Sequence, residues 1–218
     1  MFEDFLIENV FEDKKLNKAV EVVKLKEGER RNVSVLFADV KGFTALSETL
    51  DSEQVQNLLD TLLKAFTYCI NKYGGYVDKY EGDLVMALFG AKKASERDTK
   101  RAIYCGLEML EQLKKFNAYL LAKPQFKDKF IDLGIRIGIN TGLVVTGKVG
   151  EEREGDFTVY GDAVNVAYRM ESNAPINGIM IPEDSMMLVE GDFIFESRGE
   201  IAVKGNPAGS IGMPFNNI

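Results

Sequence analysis

Residues 33–44, VSVLFADVKGFT, decide the fold, because an apolar run rich in valine ends there in an aspartate, Asp39. A run this short and this β-branched predicts a strand and not a helix. Residues 76–89, YVDKYEGDLVMALF, contain two more strand-like runs joined across Gly82 and Asp83, which is the spacing of a hairpin. The sequence therefore predicts two carboxylates, Asp39 and Asp83, held by rigid strand ends.

Two carboxylates held in this way are typical of a protein that binds two divalent cations on a triphosphate. The chain has no histidine, so no imidazole can act as a base, an acid or a metal ligand. This excludes zinc-hydrolase and Ser-His-Asp chemistry. A P-loop kinase or NTPase is disfavoured, because no GxxxxGK[ST] motif occurs.

Helical and strand periodicities alternate along the chain. Asp51, with Gln54 three residues later, predicts the start of a helix whose apolar residues recur every three and four positions as far as Tyr73. A second helix is predicted from about Ser95 to Phe116. Cys69 and Cys105 lie within these apolar patterns, so we expect buried, unbridged thiols.

The second half of the chain begins with a period-two run at residues 131–139, and a separate strand is predicted at residues 143–149. A charged excursion returns at residues 157–160, which predicts a projecting hairpin arm. Asn165 and Arg169 then lie four residues apart on one face of a helix. The order βαββαβ predicts an α+β fold: a ferredoxin-like core with an antiparallel sheet and helices packed on it.

Composition narrows the partners and the compartment. A net charge of −7 on 218 residues opposes nonspecific binding to nucleic acid or anionic lipid. The acidic N-terminus resembles no signal peptide, and no apolar run approaches the roughly 20 residues of a membrane span. We expect a cytoplasmic chain, or the cytoplasmic piece of a longer one, with no nucleic-acid partner and no membrane insertion.

Four segments, in this order, resemble the class III nucleotidyl cyclase catalytic domain: GERRNVSVLFADVKGFT, DKYEGDLVMALFG, RIGINTG and DFTVYGDAVNVAYRME. The resemblance covers about residues 29–205. It implies conversion of a nucleoside triphosphate to its 3′,5′-cyclic monophosphate and pyrophosphate. On this reading residues 29–218 form the catalytic domain, and residues 1–28 form an N-terminal helical or connecting segment.

The resemblance implies roles for individual residues. Asp39, Asp83 and the Val40 carbonyl would hold two Mg²⁺ or Mn²⁺ ions per site, with Asn165 orienting the ribose and Arg169 binding the α-phosphate. Taken alone, the last pair is more often a polar helix surface. Phe43 and Thr44, in the loop after Gly42, are expected to contact the substrate, because the glycine lets backbone N–H groups turn toward a ligand. The resemblance also implies contacts from Arg153 and Lys204 to the β- and γ-phosphates.

Two further positions match residues that read the purine. Lys79 can only donate hydrogen bonds, so it suits the acceptor N1 of adenine and favours ATP over GTP. Thr158 stands where many adenylyl cyclases place an aspartate, and resembles the threonine branch that includes soluble bicarbonate-responsive enzymes. Its hydroxyl can accept a bond from the adenine amino group or meet N1 indirectly, and bicarbonate stimulation is a hypothesis from this resemblance.

The family builds each site between two protomers, so the resemblance implies a homodimer with shared sites. It also leaves room for attached regulatory domains. Three alternatives remain at this stage: a guanylate cyclase, a catalytically silent nucleotide-binding dimerisation module, and a polymerase-palm or diguanylate-cyclase-like enzyme. The last is disfavoured, because the consecutive acidic pair expected there is missing and NVAYR would have no role.

Overall fold

The computed structural model describes residues 3–10, 28–43, 46, 50–91, 93–126, 132–148, 157–203 and 206–214. Its strands are β1 (Arg30–Lys41), β2 (Tyr76–Glu81), β3 (Leu84–Phe89), β4 (Gly134–Lys148), β5 (Phe157–Tyr160), β6 (Gly178–Pro182), β7 (Glu200–Val203) and β8 (Asn206–Pro214). Its helices are α1 (Glu3–Asn9), α2 (Ser52–Lys72), α3 (Asp98–Ala122), α4 (Asp162–Asn173) and α5 (Glu183–Met187), with a short 3₁₀ turn at Pro124–Phe126.

One sheet organises the described part of the chain, in the order β2-β3-β1-β4-β6-β8-β7, with β5 paired to β4. Neighbouring strands among the first four are antiparallel, and the crossover helices α2 and α3 connect β1 to β2 and β3 to β4. This arrangement is the predicted ferredoxin-like core, which is therefore confirmed. The antiparallel pairing of β4 with β5 confirms the hairpin arm, whose tip lies outside the described residues.

The two faces of the sheet carry different helices. Leu36, Ala38 and Val40 of β1 belong to the large core that includes buried residues of α2 and α3. Val33, Val35 and Phe37 belong instead to a second core that includes Ala163 and Ala167 of α4. Because side chains alternate along a strand, Asp39 lies on the α4 face, at the end of that apolar row.

Two glycines let α4 lie directly on the sheet. A Cβ atom at Gly138 would be 2.0 Å from the Glu171 amide nitrogen and 2.4 Å from the Ala167 carbonyl oxygen, and one at Gly142 would be 3.0 Å from the Ala163 Cβ. The predicted division into two strands here is wrong. A single 15-residue strand, β4, runs through both positions, because these glycines provide close approach and not a turn.

The helix boundaries were partly predicted. Asp51 caps α2, since its carboxylate accepts a 2.8 Å bond from the Gln54 amide. By contrast, α3 starts at Asp98 and not Ser95, whose amide donates to the Asp98 carboxylate at 2.6 Å. It also continues beyond Phe116, because buried Leu120 extends its apolar face into the core.

The predicted state of the cysteines is confirmed. Cys69 and Cys105 are buried free thiols, and burial raises the pKa of Cys69 to about 12. A thiol with so high a pKa is protonated and unreactive at neutral pH. Among the described helices, none has both the length and the apolar character needed to cross a membrane.

Candidate active site

Asp39 and Asp83 meet where β1 runs beside the β2–β3 hairpin. Asp39 pairs in register with Leu84, the residue after Asp83. The Val40 amide then donates a 3.2 Å hydrogen bond to the Asp83 carbonyl oxygen. Gly82, with φ of 65°, makes the left-handed turn that precedes Asp83. The two acids predicted to act together are thus brought together by the backbone.

The two carboxylates affect each other electrostatically. Burial raises the pKa of Asp83 above its ordinary value, and the negative charge of Asp39 raises it further. Asp39 is only 8% exposed, and the Lys41 ammonium donates a short ion-paired hydrogen bond to it. Among the described residues, Lys41 is the cation that acts on both aspartates, so the pair keeps an excess of negative charge that a bound metal ion would neutralise.

A third carboxyl group, Glu171, was missed in the sequence. It is 2% exposed, and its pKa is raised by burial and then by the charge of Asp39, while Lys41 opposes the shift. Its spacing carried a signal. Ala163, Ala167 and Glu171 recur every four residues along α4, so this spacing could have predicted that Glu171 faces the sheet with the two alanines.

The donor atoms at this site fit a hard divalent cation. Carboxylate and backbone carbonyl oxygens are the ligands that Mg²⁺ and Mn²⁺ accept, and the raised pKa of Asp83 shows the electrostatic cost that such an ion would relieve. Among the described residues, no three acidic or thiol side chains form a group that could hold a metal by themselves. Oxygens from water and from a bound phosphate would complete the coordination.

The two residues predicted to read the purine, Lys79 and Thr158, are connected through Asp78. Thr158 of β5 donates a 2.7 Å hydrogen bond to the Asp78 carboxylate of β2. Lys79 follows Asp78 directly, at a register shift in the β2–β3 pairing. Its ammonium lies 3.3 Å from Glu81, and its side chain is 45% exposed. Lys79 and Thr158, far apart in sequence, are thereby brought to one region of the structure.

Asn165 and Arg169 occupy a different side of α4 from the buried alanines. Asn165 is exposed and Arg169 is half-buried. Exposed apolar side chains accompany them on α4 and on the β4–β5 arm: Tyr168, Leu143, Val145 and Tyr160. An exposed apolar area next to polar functional residues is typical of a surface that another protein covers.

The remaining predicted contacts have mixed outcomes. Phe43 is 8% exposed and packs in the α2–α3 core, so its backbone and not its ring is left to approach a substrate. Gly42, with φ of 103°, makes the turn before it. Val40 also buries its side chain in that core, and the metal role of its carbonyl stays a prediction. Three predicted residues lie outside the described part of the chain: Thr44, Arg153 and Lys204.

Comparison with known proteins identifies the family. Residues 25–213 match the adenylate and guanylate cyclase catalytic domain. An adenylate cyclase of Mycobacterium bovis is 33% identical over 190 residues, which is 84% of this chain and 40% of that protein. The chain belongs to this cyclase catalytic-domain family, as its motifs predicted. It spans 40% of the M. bovis relative and 30% of an adenylate cyclase of Anabaena cylindrica, and as little as 11% of a longer relative, the membrane guanylyl cyclase of Dictyostelium discoideum.

Solved structures agree with this assignment. The adenylyl cyclase CyaB from P. aeruginosa superimposes with a TM-score of 0.82 at 32% identity, over 88% of this chain and 97% of that one. The guanylyl cyclase Cya2 superimposes with a TM-score of 0.76 at 31% identity, over 87% and 94% of the two chains. Similar structures thus include cyclases named for either purine, and the choice of base must be argued from this chain's own residues.

Proposed function

We propose that this chain is the catalytic part of an adenylate cyclase, which converts ATP to 3′,5′-cyclic AMP and pyrophosphate. The observation that carries the proposal is that Asp39 and Asp83 lie side by side, held there by the backbone hydrogen bond between Val40 and Asp83. In the reaction the ribose 3′-oxygen forms a bond to the α-phosphorus. The bond from that phosphorus to the bridging oxygen of pyrophosphate breaks, and the hydroxyl proton is lost.

Asp39, Asp83 and the Val40 carbonyl are proposed to hold two Mg²⁺ or Mn²⁺ ions. When bound, such ions lower the pKa of the 3′-hydroxyl and neutralise charge on the departing pyrophosphate. A chain without histidine has no imidazole to act as base, which favours this form of activation. Lys41, now paired with Asp39, would release that carboxylate as the ions bind.

The chain's other residues position the nucleotide. Asn165 is proposed to orient the ribose, and Arg169 to bind the α-phosphate as negative charge develops on it. A placed arginine of this kind is worth on the order of 10³ or more in rate at comparable phosphoryl-transfer sites. Arg153, Lys204, Phe43 and Thr44 remain proposed contacts to the phosphates and the substrate.

Adenine selectivity is proposed to rest on Lys79 and Thr158. An ammonium group can donate to N1 of adenine, whereas guanine presents an N1–H donor to the same position. The alternative is a guanylate cyclase. Similarity to a guanylyl cyclase supports this alternative, whereas Lys79, which cannot accept a hydrogen bond from guanine N1–H, argues against it. A silent module is disfavoured because Asp39, Asp83, Asn165 and the other motif residues are all present.

A homodimer with two shared sites is part of the proposal. The exposed positions of Asn165 and its apolar neighbours support it, since one protomer could offer this surface to the metal-binding edge of another. Residues 29–218 are the proposed catalytic domain, preceded by a connecting segment. Attached regulatory domains, bicarbonate stimulation and a cytoplasmic location stay predictions from the sequence.

The proposal is tested by incubating the protein with ATP or GTP and Mn²⁺, and identifying the products by mass. We expect cyclic AMP and an equal amount of pyrophosphate from ATP, with much slower turnover of GTP. Cyclic GMP as the main product would replace the adenylate assignment with the alternative. Linear nucleotides alone, from both substrates, would contradict cyclase activity.

A further inference from the structure

Asp78 was assigned no role by the sequence motifs, yet it accepts the hydrogen bond of a residue 80 positions away in the chain. We propose that Asp78 is a positioning residue for base selection: it fixes the Thr158 hydroxyl as a hydrogen-bond acceptor toward the nucleotide. This inference rests on the proposed function, in which Thr158 meets the 6-position of the purine.

The argument begins with the hydrogen-bonding capacity of a hydroxyl group. Threonine carries one proton and two lone pairs, so a free hydroxyl rotates and serves as donor or acceptor to suit its partner. It cannot by itself distinguish an amino group from a carbonyl oxygen. A threonine at a base-reading position is therefore less selective than a group of fixed polarity.

The 2.7 Å bond to Asp78 removes this ambiguity. An ionised carboxylate only accepts hydrogen bonds, so the Thr158 proton must point at the Asp78 oxygen. Only lone pairs of Thr158 are then left for a ligand. A hydrogen bond to a charged acceptor is stronger than one between neutral groups, so it holds the hydroxyl in this orientation.

The backbone around Asp78 supports a dedicated role. Pairing of β2 with β3 shifts register between Val77 and Lys79, so Asp78 is the extra residue of the irregularity. Such bulges re-aim side chains next to functional sites. Here Asp78 is turned to Thr158 of β5, while Lys79 stays in register with Met86. One bulge thus serves both of the residues proposed to read the base.

The resulting pattern matches adenine and opposes guanine. Lys79 donates toward position 1 of the purine, and Thr158 accepts from position 6. Adenine offers an acceptor at N1 and an amino donor at position 6, so both contacts are satisfied. Guanine offers the reverse at both positions, which would leave two mismatched polar contacts. Unsatisfied polar groups of this kind are the strongest source of substrate rejection.

The test separates the 6-amino contact from every other contact. Purine riboside 5′-triphosphate keeps N1 of adenine and lacks only the amino group. The ratio of kcat/KM for ATP to that for this analogue measures what the amino group contributes. It is to be compared in the wild type, Asp78→Asn, Thr158→Val and Thr158→Ser. The charge-matched control is Asp192→Asn, which removes an exposed carboxylate paired with Lys100 outside the candidate site.

We expect the wild type to prefer ATP by about fivefold or more, as a single neutral hydrogen bond provides. Thr158→Val should reduce this ratio to nearly one, because it removes the acceptor. Asp78→Asn should reduce it only in part, because the freed hydroxyl is no longer held as an acceptor but can still rotate to accept from the amino group. Thr158→Ser and Asp192→Asn should keep the wild-type ratio. GTP use relative to ATP use should rise in Asp78→Asn and in Thr158→Val, and most in Asp78→Asn, because only that variant has a hydroxyl that can rotate to donate to the guanine 6-oxygen.

A binding measurement makes the test independent of turnover. Displacement of a fluorescent ATP analogue in the presence of Ca²⁺ gives the affinities of ATP, GTP and purine riboside triphosphate for each variant. Folded Asp78→Asn that binds ATP, GTP and purine riboside triphosphate in the same proportions as the wild type would show a purely structural bond and overturn the inference. Equal affinity of the wild type for both nucleotides would also overturn it, whereas wild-type protein that forms no cyclic nucleotide contradicts the proposed function itself.

Discussion

The Val40 amide donates to the Asp83 carbonyl at 3.2 Å, and this bond fastens the end of β1 to the turn of the β2–β3 hairpin. The hairpin turn and the strand end each present one carboxylate. Because neither aspartate lies on a long loop, their separation is fixed by the backbone of the sheet. Because the two carboxylates are held close together, the charge of Asp39 raises the pKa of Asp83.

The pKa of Asp83 predicts how stability changes with pH. Burial and the charge of Asp39 raise this pKa, so the ionised carboxylate destabilises the folded, metal-free protein. That cost is absent below about pH 4, the ordinary aspartate value, and grows as the pH rises through the raised value. Asp83→Asn should therefore raise Tm at about pH 8, with an advantage that shrinks toward about pH 4.

Scanning calorimetry with EDTA present measures this directly. Mn²⁺ with a non-cyclisable ATP analogue should reverse the order at high pH, since only the wild type gains the full stabilisation of bound ions. A Tm difference that does not depend on pH would contradict the assigned cause. Asp192→Asn controls for the loss of one negative charge.

Charge reversal at Lys79 is expected to weaken the use of ATP and to leave the affinity for metal ions unchanged. Lys79→Glu should lower kcat/KM for ATP by at least about tenfold, the contribution of a charged hydrogen bond. The Mn²⁺ concentration needed for half-maximal activity should stay within about twofold of the wild-type value. Lys64→Glu, at an exposed position of α2, is the matched control. Equal loss of nucleotide and metal affinity would count against a purine role.

Gly138 is predicted to be a packing position on which the site depends. A Cβ there would stand 2.0 Å from the Glu171 amide nitrogen, so Gly138→Ala must push α4 off the sheet. We expect a loss of about 3 kcal/mol or more in the free energy of unfolding, together with reduced activity. Urea denaturation measures the loss.

Gly191→Ala is the control for this experiment. Gly191 has a positive φ and no atom within 4 Å of an added Cβ, so it should cost only about 1 kcal/mol. Similar losses at the two glycines would indicate that backbone freedom, and not the close approach of α4, explains Gly138.

Shared sites predict recovery of activity from two inactive proteins. Asp39→Ala and Asn165→Ala should each be inactive, because each damages a different half of every site. Mixed and allowed to exchange, half of the dimers would contain one protomer of each kind and one intact site out of two. Activity should return to as much as about a quarter of the wild-type value. No recovery, with exchange verified by differently tagged protomers, would argue for sites within single chains.

Much of the fold could be predicted because its signals are local. The apolar run before Asp39, the period of α2 and the glycine of the β2–β3 turn each depend on neighbouring residues. The continuity of β4 could not be predicted in this way. Gly138 resembles a strand breaker in the sequence, and only the position of α4 explains it. The parallel pairing of β4 with β6 is equally non-local.

Candidate site residues could be predicted where they stand in recognisable motifs. They were missed where their role depends on a contact with a residue that is distant in sequence. Asp39, Asp83, Lys79 and Thr158 stand in recognisable segments. Asp78 and Glu171 also stand in those segments, yet their importance comes from contacts across the sheet face: Asp78 with Thr158, and Glu171 with Asp39. A helical spacing could have shown Glu171, whereas no local pattern shows a bond between residues 80 positions apart.

The most direct test of the central claim is a count of bound ions. Mn²⁺ titration of the protein with a non-cyclisable ATP analogue, followed by electron paramagnetic resonance, gives the number of ions per site. The proposed site predicts two ions per site for the wild type and for Asp192→Asn, with at least one lost in Asp39→Asn and in Asp83→Asn. Both aspartate variants binding as many ions as the wild type, with equal affinity, would contradict it.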